Sequence, residues 1–240
     1  MCPQMSINIP EMNPAFDTYR IGTVLEMVRR MALTLAYQEK NVRICVQQAL
    51  GEGVFQGLPL ALSSMRFILE KMDWGTRLDA NNENGKRRIR FGQVGKDVLS
   101  EDDDVCIVIA PQNTVGAEIT GLLEEMVISA GGRPVVLVNP SLGDRPSANN
   151  VMQVRGRSER RAVMESFKDI FVLRLLYPSS GGYMFPISGM VMKQSYNAPY
   201  VAYNKQKTED GKETYSPIGA FPPHPKPNPE VLSNLFLTSA

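Results

Sequence analysis

The sequence predicts an α/β fold: a Rossmann-like, mostly parallel sheet flanked by helices, with a C-terminal β-hairpin and a proline-rich tail. Three observations carry this expectation. The runs Val105 to Ala110 and Pro134 to Asn139 are short, unbroken and rich in β-branched residues, the pattern of strands buried on both faces. Segments with apolar residues at helical spacing alternate with such strands over the first two thirds of the chain. Beyond Tyr177 the pattern changes to short extended pieces and turns. On this reading residues 1–205 form one α/β domain, and residues 206–240 hold the end of the hairpin, a proline-rich arm and a short C-terminal helix.

The elements follow in order. Ser6-Ile-Asn-Ile9 alternates polar and apolar residues, and Pro10 and Pro14 follow it, so it is a short strand or an extended entry segment. Asp17 or Thr18 caps a long helix whose apolar face is Ile21, Val24, Leu25, Val28, Met31, Ala32 and Leu35, ending near Gln38. Val42 to Gln48 is a strand, 49–57 a glycine-rich connection and Leu58 to Met72 a second helix, closed by Asp73-Trp74-Gly75. The glycines at 51, 53 and 57 lack the spacing of a dinucleotide fingerprint and read as turn residues. Trp74 reads as a packing anchor. Lys86 to Phe91 is a possible edge strand whose charges protect it from aggregation.

Asp102, Asp103 and Asp104 precede the strand at Val105, on the rim opposite the usual ligand end, and read as a solvated acidic turn. Ala117 to Ser129 is the next helix, with Gly131-Gly132 as its C-cap. Arg155, Arg157, Arg160 and Arg161 open a helical segment and are the densest positive feature of the chain. They can hold an anionic ligand, meet a carboxylate patch on a partner, or pair with Glu159, Glu165 and Asp169. Asp169 to Leu176 is a strand, and Tyr200 to Tyr203 with Thr214-Tyr215 flanks the Gly211 turn of a hairpin. The segment from Phe221 to Pro229 holds five prolines and is irregular until Pro229 or Glu230 starts a helix through Leu237.

Composition narrows the function. The 240 residues include 26 basic and 25 acidic side chains, a net charge of +1, which gives no global attraction to nucleic acid. No apolar run approaches the roughly 20 residues that span a bilayer, although peripheral membrane association is compatible with the sequence. No targeting peptide is read at Met1, which leaves a cytosolic protein or a mature chain already relieved of its targeting segment. Cys2, Cys45 and Cys106 have no metal-type spacing and read as core residues in a reducing compartment. The one histidine, His224, sits between prolines, a poor place for a positioned base. No catalytic residue, metal site or cofactor is therefore expected.

Four segments carry a resemblance. Asp103 to Asn113, Gly132 to Pro140, Val151 to Arg157 and Leu173 to Pro178 together resemble the plastid and cyanobacterial family known as domain of unknown function 1995. One plant member of that family is a photosystem II assembly factor, and another copy forms the C-terminal part of a chloroplast adenylate-kinase-like protein. The resemblance implies a chloroplast protein of the stroma or the stromal thylakoid face, binding photosystem or other thylakoid proteins during assembly or as an accessory. Partner contacts are expected at Arg160, Arg161, Tyr183, Phe185, Tyr200 and Phe221. The alternative is a small-molecule enzyme or sensor taking a nucleotide or other phosphorylated ligand at the sheet's C-terminal rim, through Gln112, Asn113, Thr114, Asn139, Arg155 and Arg157.

Overall fold

The structure, a computed structural model, describes residues 4–9, 17–48, 65–75, 87–113, 119–143, 156–176 and 187–238. The chain divides into two compact units: Met1–Ser6 with Phe16–Lys168, and Ile7–Ala15 with Asp169–Ala240. The boundary falls within strand β1 (Met5–Asn8).

The first unit is the α/β body. Its strands β2 (Val42–Val46), β3 (Ile89–Gln93), β4 (Val105–Ile109) and β5 (Val135–Val138) lie in the order β3-β2-β4-β5 and pair parallel throughout. Alternate residues divide between two faces, as strand geometry requires. On one face Cys45, Cys106, Val108, Val135 and Leu137 meet Ile119, Leu123, Met126 and Ala130 of helix α3 (Thr120–Ala130) and its entry. Leu123 and Met126 are fully buried, each stabilising by about 1.5–3 kcal/mol relative to exposure. Gly131 ends α3 in the left-handed region, as the C-cap reading expects. The alternate residues Val42, Ile44, Ile107 and Ile109 are equally buried. Helix α1 (Asp17–Tyr37) touches β2, β3 and β4 and buries Val24, Leu25, Val28 and Ala32 at helical spacing.

Helix α2 (Met65–Lys71) is the described part of the expected second helix; residues 49–64 lie outside the described residues. Trp74 is the anchor its position suggests: its indole N–H donates to the Leu69 carbonyl, and its ring meets Phe91 of β3 at 5.3 Å. Strand β3 is indeed at the edge of the parallel set. Gly92 within it has no alternative, since a Cβ there would lie 2.2 Å from Val98 in the following 3-10 turn, Lys96–Val98.

The acidic turn is a correction. Asp103 is buried rather than solvated, accepting from Arg43 at 3.0 Å and the Ser100 N–H at 2.8 Å, and pairing with Arg90 at 2.6 Å. Arg90, read as a solvated edge charge, is therefore internal. Asp104 accepts from the Asn41 N–H, and Arg133 donates to the Ser100 and Asp103 carbonyls, so this rim is a packed polar network.

The second unit is antiparallel. Strands β6 (Lys168–Leu176), β7 (Gly189–Lys193), β8 (Tyr200–Lys207) and β9 (Glu213–Phe221) run in chain order, with Gly211 at φ 80° in the β8–β9 turn. The expected hairpin is present, but β9 is longer than the expected Thr214-Tyr215. It admits Pro217 because it is the last strand of the order and carries an irregularity opposite Ala202/Tyr203. Phe221 accordingly ends a strand instead of opening the tail. Helix α5 (Pro229–Thr238) packs Leu232, Leu235 and Phe236 against Val172, Val191, Tyr200 and Ala202. Gly189 and Gly219 clear its path, since a Cβ at either would lie within 2.8 Å of Phe236 or Leu235. Among the described residues no helix is long and apolar enough to cross a membrane.

Candidate functional site

The C-terminal rim of the parallel strands is the place where open α/β sheets hold ligands. Strands β4 and β5 both leave the sheet through a left-handed residue, Ala110 at φ 43° after β4 and Asn139 at φ 50° after β5. Past this shared break the loops pair again: the Ser141 N–H donates to the Pro111 carbonyl at 2.8 Å, and the Asn113 N–H to the Ser141 carbonyl at 3.2 Å.

Two side chains fasten the rim. Gln47, at the end of β2, donates to the Gln112 carbonyl at 2.9 Å and accepts from the Gln112 N–H at 2.8 Å. Its primary amide thus copies a strand neighbour. Asn113 donates to the Leu142 carbonyl at 2.7 Å and accepts from the Ile119 N–H at 3.0 Å, where α3 begins. Gln47, Gln112 and Asn113 are all buried. The polar character that marks 112 and 113 in the sequence is here employed in holding loop to loop. Gln47 escaped the sequence reading; its signal is a polar residue directly after an apolar strand.

Beside this rim lies a pocket of about 240 Å³, lined by Leu142 and Gly143 from the loop after β5 and by Arg157, Arg160, Arg161 and Met164 from helix α4 (Arg157–Ser166). The helix starts after Gly156, which takes φ 73°. Its turn geometry puts residues 157, 160, 161 and 164 on one side, with the i, i+3 and i+4 spacing that makes side chains neighbours. Arg160 is buried, while Arg157 and Arg161 are exposed. Arg161 stands 4.0 Å from Glu165, both well exposed, a pairing of little energetic weight. Glu159 does not line the pocket. Its carboxyl is held below the ordinary range, first by its own backbone N–H, then by the Ser158 hydroxyl, with Arg160 adding to both.

The structure therefore brings Arg157, Arg160 and Arg161 together, joining residues the sequence divided between ligand and partner. Asn139 is half-buried in the neighbouring loop. Thr114, Arg155, Tyr183 and Phe185 lie outside the described residues. In the second unit Tyr200 is 2% exposed, its hydroxyl donating to Asp169 at 2.8 Å, so its ring serves the core. Burial, then Asp169, pushes the Tyr200 phenol above its ordinary pKa and keeps it protonated. Phe221 packs partly buried against the same cluster.

Other reactive groups are internal. Cys45 and Cys106 sit with sulfurs 3.7 Å apart, and the Cys45 thiol, followed by burial, raises the Cys106 pKa well above normal. In the parallel register Cys106 faces Arg43, two residues before Cys45. That offset separates the Cα atoms by about 8 Å given ordinary strand spacings, beyond the ~7 Å a disulfide spans. They act as core residues, as read from the sequence. Lys193 is fully buried and donates to the carbonyls of Tyr196, Ala198 and Pro223 at 2.9, 2.9 and 3.0 Å, with the Tyr200 ring 4.7 Å from its nitrogen. His224 is exposed, its ring 4.8 Å from that of Tyr196. Among the described residues no three His, Cys, Asp or Glu side chains gather as a metal-binding group would.

The model of the domain of unknown function DUF1995 matches residues 2–229. This chain belongs to that family. The match extends through the first unit and most of the second, and the four segments that carried the resemblance lie within it.

Proposed function

We propose that this chain is a non-catalytic plastid protein that binds photosystem or other thylakoid proteins, in their assembly or as an accessory component. The observation that supports this reading is the use made of the C-terminal rim. Among the described residues Gln47 and Asn113 spend both ends of their amides on backbone groups, so this part of the rim joins loop to loop instead of presenting free polar side chains. The compartment and the process are part of the proposal and rest on the resemblance alone, through the photosystem II assembly factor among the family's plant members. Arg161 and Phe221 are the described residues of the expected partner set that retain surface, and their contacts would be charge pairing and apolar packing respectively.

The test is affinity purification with the tagged chain from detergent-solubilised thylakoids. Photosystem subunits are expected in the eluate above an untagged control, with recovery weakened by Arg161→Glu. An eluate free of thylakoid proteins, or a substrate turned over by the purified chain, would overturn the reading.

A further inference from the structure

We draw no further inference here: the strongest candidate, the half-buried apolar face that Leu173, Leu175, Met190, Met192, Val201 and Tyr203 form on β6, β7 and β8, alternate to the residues packed against α5, carries none because nothing in the structure shows what covers it.

Discussion

In the first unit Asp103 is sealed between two guanidinium groups, whereas in the second unit Lys193 is sealed among neutral carbonyls. Arg43 and Arg90 face the carboxylate at 3.0 and 2.6 Å, so its charge is answered by opposite charge. The lysine meets three backbone oxygens that satisfy its three donors, and a tyrosine face that attracts its charge. The difference follows from the architecture. Parallel strands start together at a rim where several strands bring side chains to one point, while the antiparallel meander brings turns and their carbonyls to the end of β7. A buried charge in this protein is held by whichever polar groups the local topology leaves over.

The largest expected effect is at Asp103. Asp103→Ala leaves Arg43 and Arg90 facing each other with little access to water, and should cost about 3–5 kcal/mol in a urea titration. The triple variant with Asp103→Leu, Arg43→Met and Arg90→Met should recover most of that loss, because removing all three charges also removes their desolvation. A single variant within about 1 kcal/mol of the parent would show that the arginines reach solvent, and would erase the contrast between the units.

Lys193→Met comes next, at about 3 kcal/mol, since it strands three carbonyls that now accept from an ammonium. Burial pushes the Lys193 pKa below its ordinary value, with Asp169 pulling the other way. The unfolded chain binds this proton more tightly than the folded one, so this group's contribution to stability rises with pH between the depressed folded value and the ordinary lysine value. Melting temperatures of the parent and the Met variant, compared across the alkaline range, should converge on no such trend in the variant.

The smallest effect belongs to a surface charge of the first unit. Glu26 on α1 accepts from Arg29 and Arg30, whose hydrogen bonds lower its pKa to about 2. Its contribution is complete above the ordinary carboxylate pKa and fades as pH falls from there toward 2. Glu26→Gln should flatten acid sensitivity slightly while leaving neutral-pH stability nearly unchanged, because the pair is solvated. A loss at neutral pH as large as that of Lys193→Met would contradict the idea that only sealed charges matter here.

Much of the fold was legible because burial writes itself into strands. The runs ending at Ile109 and Val138 contain no polar residue, and only a strand covered on both faces tolerates that. The sealed charges were not legible from their own neighbourhoods. Three consecutive aspartates look solvated, and Asp103 finds its partners on β2 and β3. A signal did exist one element away: Arg43 stands in an otherwise apolar strand, where a cation needs an internal counterpart. Lys193 gave a similar sign, sharing the face of Val191 in a strand that alternates buried and half-buried residues. At the candidate site the arginines were visible as a cluster, but their common pocket with Leu142 depended on the fold returning α4 to the end of β5. The extension of β9 through Pro217 was hidden because proline argues against a strand until its edge position is known.

The paired left-handed turns at Ala110 and Asn139 bear on how this chain can change length. Because the Gln112 and Ser141 segments re-register immediately after both breaks, the spacing from each turn to the bridge is set jointly. A single-residue deletion between 110 and 112 would throw Asn113 out of reach of both Leu142 and Ile119, and a matching deletion between 139 and 141 would restore only the fit to Leu142, leaving the bonds to Ile119 and Gln47 broken. The lengths of these two loops should therefore be fixed together, although nearly 30 residues of sequence lie between them.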